Sequence, residues 1–544
     1  MRFSKNITAF FAFVLLTAPI FGQKAPKLVV GIVIDQMRYD YLYRFQGDMS
    51  ETGFKRLLRE GNVMHDGHYA YVPTLTAPGH SCIYTGTGPA MNGIIGNNWY
   101  SRPENRVVYC AEDSTANTVG SGSVNGKMSP RRLTSTTLAD QLELATNRRS
   151  KTIGISLKDR GAIMPVGYLA DGAYWYDGSN GHFITSDYYR KSLPDWVEKF
   201  NDRKLPDQFL DQPWTTLLPL DRYDETLPDD QPKERPFLNT ERPVFPYDLK
   251  KITSVQRFGV GESKYGILMS SPYGNSLTLE MAKAAIEGEQ LGQDSITDLL
   301  AVSFSSTDYI GHQFGPQSVE IQDIYLRLDL TLSNLFQYLD SKIGLNNVLI
   351  FLTADHAAAD IPGYISPPAG YFKAGDFEEG LRQHLVKKFK KDPVESFINE
   401  QLYFTKPLYV DKDKLEGEVR AYAAGFPGVY GIIPLDDFGK CVTDPSVCDK
   451  IRKGIMPDRS GDLYVQLYPG WIANYYEKGG TTHGSPYAYD THVPIIFFGW
   501  EVRHSDNRER VWVEDIAPTV CDILHITRPS GCTGSVIPGV LFRG

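Results

Sequence analysis

The run KLVVGIVID, from Lys27 to Asp35, is an almost unbroken series of apolar, mostly β-branched residues that ends on a carboxylate. Four later runs share this character: Thr152–Leu157, Leu299–Phe304, Val348–Thr353 and Val493–Phe498. Strands that are apolar at successive positions are buried on both faces, which is typical of a mainly parallel sheet covered by helices. Amphipathic stretches lie between the runs: Gly53–Glu60, Thr136–Thr146, Ser276–Glu289 and Val319–Ile343. This alternation predicts an α/β fold with a three-layer core.

Two regions interrupt the alternation. Residues from about 163 to 275 are rich in Asp, Pro, Tyr and Trp and show few helical periods. Residues from about 360 to 480 contain two helical stretches, Phe377–Lys390 and Lys414–Ala424, and the strand-like Asp462–Leu467. We therefore predict one domain over residues 23–544 that carries two insertions.

The N-terminus has the pattern of a secretory signal peptide. A basic segment, Met1–Lys5, precedes an apolar stretch, Ala9–Ile20, and Gly22 offers a small residue at a cleavage point. Residues 1–22 are thus predicted to be removed from a periplasmic or secreted protein. No later stretch approaches the roughly 20 apolar residues of a transmembrane helix, so no membrane span is predicted.

Composition narrows the class of protein. The 544 residues carry a formal net charge of -9, which argues against a general nucleic-acid binder because such proteins usually have a basic face. Six cysteines in an exported chain favour disulfides. Proximity in sequence suggests the pairs Cys82–Cys110, Cys441–Cys448 and Cys521–Cys532. The sequence does not decide the oligomeric state, and a monomer is compatible with it.

Polar residues follow four of the predicted strands: Asp35, Lys158 with Arg160, Asp308, and Asp355 with His356. One polar residue after a strand is commonly an ordinary loop residue. Ligands, however, bind at the carboxyl ends of parallel strands, so four such ends together indicate a site. With His312 and His483, these residues offer three carboxylates and three imidazoles, which suit zinc better than Mg²⁺ or Ca²⁺. A site for two zinc ions is a common way to hydrolyse phosphate esters.

The segment PTLTAPGH, from Pro73 to His80, supplies a candidate nucleophile. Thr76 followed by Pro78 also fits the start of a helix, with Thr76 as the N-cap. The two interpretations are compatible because a helix N-terminus stabilises a bound phosphate. A threonine hydroxyl needs a base or a metal to become a nucleophile near neutral pH.

The order of these residues resembles the alkaline phosphatase superfamily, and within it the phosphate-irrepressible (PafA-type) bacterial alkaline phosphatases. The resemblance spans nearly the whole mature chain. Its most specific parts are GIIGNNW at Gly93–Trp99, which contains Asn97, and SLKDR at Ser156–Arg160. Ala357 stands after His356 where many members of the superfamily have glycine.

The resemblance implies two zinc ions and a role for each site residue. One zinc would be held by Asp308, His312 and His483. The other would be held by Asp35, Asp355 and His356, and by Thr76 once it is deprotonated. Asn97, Lys158 and Arg160 would contact the non-bridging phosphoryl oxygens.

The sequence therefore predicts an exported di-zinc alkaline phosphatase that hydrolyses small-molecule phosphate monoesters through a phosphothreonine intermediate. The alternative is a phosphodiesterase of the same superfamily, which would usually lack the Lys-x-Arg pair formed here by Lys158 and Arg160. A non-catalytic exported binding protein is a third interpretation, and the intact ligand set and nucleophile argue against it. A sulfatase would need a Cys or Ser in a C/S-x-P-x-R motif, which the segment from Thr76 to His80 lacks.

Overall fold

A ten-stranded sheet forms the centre of the molecule, and the strand predicted from Lys27–Asp35 lies in its middle. The structure is a computed structural model that describes residues 25–238, 240–255, 263–364, 369–441, 443–473 and 479–541. The predicted signal peptide lies outside the described residues. The described strands are β1 (Leu28–Ile34), β2 (Asn62–His68), β3 (Asn98–Ser101), β4 (Arg106–Tyr109), β5 (Thr118–Val119), β6 (Thr152–Ser156), β7 (Gly172–Asp177), β8 (His182–Ser186), β9 (Asp298–Phe304), β10 (Val348–Thr353), β11 (Gly370–Phe372), β12 (Val394–Ile398), β13 (Gln401–Phe404), β14 (Val429–Pro434), β15 (Leu463–Leu467), β16 (Trp471–Ala473), β17 (Ile495–Gly499) and β18 (Ser505–Trp512).

The described α-helices complete the element list. They are α1 (Tyr41–Arg44), α2 (Phe54–Glu60), α3 (Thr76–Thr85), α4 (Pro89–Asn92), α5 (Leu138–Ala145), α6 (Asp159–Val166), α7 (Asp195–Asp202), α8 (Leu205–Leu210), α9 (Leu249–Val255), α10 (Gly266–Met269), α11 (Pro272–Gly288), α12 (Ser306–Phe314), α13 (Val319–Ile343), α14 (Ala374–Phe389), α15 (Lys412–Ala423), α16 (Pro445–Gly454), α17 (Ala488–Thr491) and α18 (Ile516–Leu524). Within this list, every helix is too short or too polar to cross a membrane.

The large sheet has the strand order β18-β2-β17-β10-β1-β9-β6-β7-β8-β5. Its centre, from β10 to β7, is parallel throughout. Toward the edges, β17 pairs antiparallel with both β10 and β2, and β8 pairs antiparallel with β7. Every residue of β1, β9 and β10 is buried, so both faces of the central strands are covered. The predicted three-layer α/β fold with a mainly parallel sheet is confirmed for this centre.

Each of the five predicted strands corresponds to an observed strand, shifted by at most two residues at its ends. The longest predicted helix, Val319–Ile343, has the predicted bounds. It begins after Ser318, whose side chain accepts from Ile321 N, and ends at Gly344, where φ is 81°. A serine N-cap and a glycine at positive φ are the usual signals for these two ends.

The two regions predicted as insertions differ in how they relate to the large sheet. Residues 163–275 contribute β7 and β8 to the large sheet and then form the helices α7 to α10. Residues 360–480 form a separate four-stranded sheet, β12-β13-β15-β14. This second sheet and the helices α14 and α15 enclose their own apolar core, which includes Phe377, Leu402 and Val465.

One of the three proposed disulfides is present. Cys441 and Cys448 are bonded, with their Cα atoms 6.2 Å apart. The pairs Cys82–Cys110 and Cys521–Cys532 are wrong, because all four of these cysteines are free. Sequence proximity does not measure the distance between two sulfurs, and a disulfide needs specific separations and directions. Cys82 lies in α3, whereas Cys110 follows β4.

Candidate active site

Four neighbouring parallel strands deliver the predicted polar residues to one edge of the sheet. Asp35 directly follows β1, and Asp355 lies two residues beyond β10. Asp308 is in the first turn of α12, which begins just after β9. Lys158 immediately precedes α6 and follows β6. Because β10, β1, β9 and β6 are adjacent and parallel, their carboxyl ends meet at the same place.

One candidate metal group consists of Asp308, His312 and His483. His312 Nε2 lies 3.1 Å and His483 Nε2 lies 3.6 Å from Asp308 Oδ1. Asp308 and His312 are four residues apart on α12, so they project from the same side of the helix. His483 comes from a glycine-containing loop far along the chain. The three predicted ligands of one zinc are thus brought together.

A second candidate group surrounds His356. Its Nε2 lies 3.5 Å from Asp35 Oδ1 and 3.6 Å from Asp355 Oδ2. The ligand atoms of Asp35, Asp308 and His356 all lie within 4.8 Å of one another, so Asp308 borders both groups. His356 and His483 stack with ring centroids 3.4 Å apart, which joins the two groups into one site.

Backbone carbonyls orient the three imidazoles. The Nδ1 atoms of His312, His356 and His483 lie 2.9, 3.0 and 2.6 Å from the carbonyl oxygens of Thr481, Ala357 and Thr74. A carbonyl only accepts, so each Nδ1 must carry a proton, and the neutral form of each ring then presents the Nε2 lone pair to the site. This arrangement is the usual support for metal-binding histidines.

Three buried atoms of the site have no hydrogen-bond partner among the described residues: Asp35 Oδ1, Asp355 Oδ2 and His356 Nε2. Two are carboxylate oxygens and the third is an imidazole nitrogen, and all belong to residues that are fully buried. A buried polar atom without a partner carries a desolvation cost. A bound cation would remove this cost for all three, so the residues fit zinc.

Lys158 lies between the two groups. Its Nζ is 2.6 Å from Asp35 Oδ2 and 2.6 Å from Asp308 Oδ2. Burial opposes its charge, but Asp308 and Asp35 hold the pKa of the ammonium above its ordinary value. Lys158 therefore enters the site as a cation.

Arg160 is held by a different set of contacts. Its Nη1 donates to Tyr109 Oη at 3.1 Å. The Tyr109 hydroxyl donates in turn to Asp159 Oδ1, which also accepts from the backbone N of Arg160 at 2.5 Å. Arg160 is thereby anchored on one side by the strand β4 and on the other by its own helix, α6.

Thr76 is the first residue of α3 and is buried. The N-cap is Leu75, not Thr76, because Leu75 is the residue with extended backbone before the helix. The Thr76 hydroxyl is therefore not used as a cap. Asn97 Oδ1 accepts from Ala77 N at 2.8 Å, which places the Asn97 side chain at the start of the same helix.

The surroundings shift the pKa values of the acids and imidazoles of the site in different directions. Burial and the neighbouring Asp355 raise the pKa of Asp35 well above its ordinary value, against the effect of Lys158. Burial also opposes the charge of Asp308, but His312 and Lys158 hold its pKa well below the ordinary value. Burial, with the imidazoles of His356 and His312, holds the pKa of His483 well below its ordinary value. A neutral imidazole is the form that binds metals.

Comparison with known proteins agrees with this geometry. The family model of type I phosphodiesterases and nucleotide pyrophosphatases matches residues 29–487, which is more than half of the chain. The chain belongs to this family. The family lies within the alkaline phosphatase superfamily, as the order of the site residues predicted.

Several relatives of the chain are named alkaline phosphatases. The alkaline phosphatase PhoV of Synechococcus elongatus is 45% identical over 95% of this chain and 93% of its own length. The alkaline phosphatase PafA of Elizabethkingia meningoseptica is 42% identical over 95% of both chains. A crystal structure of alkaline phosphatase PafA matches with a TM-score of 0.91 and 41% identity, covering 95% of this chain and 99% of that one. The protein is an alkaline phosphatase, a phosphoric monoester hydrolase.

Two further histidines near this alkaline phosphatase site have structural contacts. His80 Nδ1 lies 2.9 Å from Thr76 O, and His80 Nε2 lies 2.9 Å from Ser303 Oγ. His492 stacks between Tyr39 and His68, and its Nε2 contacts His65 O. Asp66, His68 and His492 form a third group of ligand atoms, but His68 is already bonded to Thr491 and Asp66.

Sequence reasoning missed Gln36 and Tyr109. Gln36 Nε2 donates to Asp308 Oδ1 at 2.8 Å, and Gln36 N donates to Asp355 Oδ1 at 3.1 Å. Gln36 directly follows Asp35, so its position after a central strand was a usable signal. Tyr109 contacts Arg160 from a hairpin 51 residues away in sequence, and no local pattern indicates such a contact.

Proposed function

We propose that this alkaline phosphatase is exported, holds two Zn²⁺ ions and hydrolyses phosphate monoesters through a phosphothreonine at Thr76. The observation that carries the proposal is the set of three buried atoms without partners, on Asp35, Asp355 and His356, beside a second acid–imidazole group. These atoms need a cation, and the mixture of carboxylate and imidazole favours zinc.

The proposed metal ligands follow the two groups. Asp308, His312 and His483 would hold one zinc, and Asp35, Asp355 and His356 would hold the other, with Thr76 as a further ligand. When bound, zinc would lower the pKa of a nearby hydroxyl or water and offset the negative charge on a departing oxygen.

Thr76 is the proposed nucleophile. Its Oγ1 attacks phosphorus, its hydroxyl proton passes to solvent, and the ester P–O bond breaks as the alcohol leaves with the bonding electrons. Thr76 begins α3, so the positive end of that helix's dipole would stabilise the phosphoryl group. Water then attacks the phosphothreonine, which regenerates Thr76 and releases inorganic phosphate.

Asn97, Lys158 and Arg160 would bind the phosphoryl oxygens. Asn97 lies at the start of α3, because its Oδ1 accepts from Ala77 N. Lys158 contacts the acids of both metal groups, so its ammonium lies where the two groups meet. Cations placed at a transferring phosphoryl group stabilise the charge that develops in the transition state.

The same cations favour monoesters over diesters. A monoester presents a dianionic phosphoryl group, whereas a diester carries one charge and an extra organic substituent. A phosphodiesterase is the second candidate because the matching family model is named for type I phosphodiesterases. Lys158 is buried at the site, which supports the monoesterase.

Export rests on the sequence of residues 1–22. The basic segment, the short apolar stretch and the small residue at position 22 together support a signal peptide. We therefore infer a periplasmic or secreted enzyme whose partners are small-molecule phosphate monoesters.

The test of the proposed mechanism is Thr76→Ala. We expect turnover of an aryl phosphate monoester to fall by about 10³-fold or more, because the nucleophile is lost. Zinc content should stay at two per chain, since six other ligands remain. Thr76→Ser is the matched control and should keep measurable turnover because it retains a hydroxyl. Turnover of Thr76→Ala equal to that of the parent enzyme would show that another group is the nucleophile.

A further inference from the structure

A cavity of about 560 Å³ lies beside the phosphoryl-binding cations. We call it the Trp175 cavity, after the tryptophan of β7 that lines it. Its walls come from β7, α10 and the start of α6, where Lys158 and Arg160 lie. Pockets for small molecules usually enclose roughly 300–1,000 Å³, so this cavity is large enough for an organic group.

The cavity is continuous with the candidate active site. Lys158 and Arg160 line it, and so does Tyr309, the residue next to the proposed ligand Asp308. Lys158 Nζ lies 5.0 Å from the centroid of the Tyr309 ring. A phosphoryl group bound by these two cations would therefore have the cavity as its immediate neighbour.

The apolar part of the wall consists of residues from separate segments: Met128, Leu157, Leu238, Ile267 and Met269. Trp175 and Tyr176 add aromatic surface. Met128, Leu238 and Met269 are only partly buried, so each leaves apolar surface uncovered. Large flat apolar groups gain the most from such a wall, because the gain scales with the apolar area removed from water.

Several polar groups of the wall are already bonded within the protein. Trp175 Nε1 donates to Asn125 O at 3.0 Å, and Asn125 Nδ2 donates to Asp177 Oδ1 at 2.8 Å. Ser179 Oγ donates to Asp177 Oδ1 at 2.6 Å, and Ser263 Oγ donates to Gly178 O at 2.7 Å. The hydrogens of Trp175 Nε1 and of the two serine hydroxyls are thus already donated within the protein, which leaves fewer donors for the hydroxyls of a sugar or glycerol.

We infer that the Trp175 cavity binds the organic group of the substrate and selects aryl phosphate monoesters over polyol phosphates. This inference rests on the proposed monoesterase function and adds a substrate class to it. Met269 and Ile267 supply the specificity-determining apolar contacts, while Lys158 and Arg160 hold the phosphoryl group.

The test uses two variants with opposite effects on the cavity. Met269→Ala removes apolar wall, and Ser270→Phe fills the space with a ring. For either variant we expect kcat/KM for phenyl phosphate to fall about 5- to 20-fold, and kcat/KM for glycerol phosphate to change less than about twofold. Each substrate is compared between variant and parent enzyme, so differences in leaving-group reactivity cancel. Leu330→Ala is the matched control, since Leu330 is an exposed apolar residue that lines another cavity.

Binding provides a second readout that needs no turnover. Phenylphosphonate should bind the zinc-loaded enzyme more tightly than methylphosphonate does, and Ser270→Phe should abolish the difference. Equal losses for phenyl and glycerol phosphate, or no loss in either variant, would overturn the aryl pocket while leaving the monoesterase intact. Failure of the parent enzyme to hydrolyse any monoester would instead overturn the proposed function, and the pocket assignment with it.

Discussion

Lys158 and Arg160 are two residues apart, yet they face different surroundings. Lys158 contacts the acids of both candidate metal groups, whereas Arg160 is held by Tyr109 and Asp159. Lys158 contributes positive charge at the centre of the site, whereas the position of Arg160 depends on its contact with Tyr109 in the β3–β4 hairpin. Both cations would bind the phosphoryl group, so their removal should reduce hydrolysis of a doubly charged monoester more than hydrolysis of a singly charged diester.

The double variant Lys158→Ala, Arg160→Ala tests this charge dependence. We expect kcat/KM for an aryl monoester to fall at least about 100-fold, and that for the matched methyl aryl diester to fall less than about tenfold, because the diester carries one charge less. Parallel assays of the two substrates on the same enzyme preparation give the comparison. Equal losses would show that the two cations do not recognise the dianion.

Tyr109 is expected to act as a positioning residue for Arg160. Tyr109→Phe removes the hydroxyl that accepts from Arg160 Nη1, and kcat/KM for the monoester should fall about tenfold. In an Arg160→Ala background the same change should have almost no further effect, since the two residues act together. Tyr100→Phe is the control, because the Tyr100 hydroxyl lies in the same hairpin and bonds to Asn105 and Glu395 instead of Arg160. Additive losses would mean that Tyr109 acts independently of Arg160.

At the scale of elements, α3 is the part that joins the nucleophile to a metal group. Its Gly79 lies against the backbone of Asp355, and a Cβ there would be 2.1 Å from Asp355 O. This close approach sets how far Thr76 is from Asp355 and His356. A larger residue must push the helix and the Asp355 turn apart.

Gly79→Ala should therefore damage both stability and activity. We expect the free energy of unfolding to fall by about 1–3 kcal/mol, as for other overpacked sites, and monoester kcat/KM to fall with it. Gly47→Ala is the control, because the added Cβ meets no non-neighbouring heavy atom of the described residues within 4 Å. That change should alter stability by less than about 0.5 kcal/mol in a denaturant titration. Unchanged stability in Gly79→Ala would contradict the close packing of α3.

The strands that position the site residues could be predicted from the sequence. The apolar runs before Asp35, Asp308 and Asp355 identify β1, β9 and β10, because burial on both faces leaves a signal in a single stretch of sequence. The strands β2 and β8, each second from an edge of the sheet, include half-buried residues and carry weaker patterns. The strand order and the contact between Tyr109 and Arg160 depend on distant segments, which no local pattern reports.

Over the whole molecule, the large sheet fixes the relative positions of residues that are hundreds of positions apart. Asp35 and His356 meet because β1 and β10 are adjacent and parallel. His483 is added by a loop that precedes β17, the antiparallel neighbour of β10. The disulfide pairs illustrate the opposite case, since cysteines that are close in sequence, such as Cys521 and Cys532, need not bond.

The central claim is that these convergent acids and imidazoles hold two zinc ions. Anomalous diffraction from crystals of the zinc-loaded enzyme, recorded above and below the zinc absorption edge, measures this directly. We predict two anomalous peaks that vanish below the edge. One should lie among Asp308, His312 and His483, and the other among Asp35, Asp355 and His356. A single peak, or two peaks away from these residues, would contradict the account.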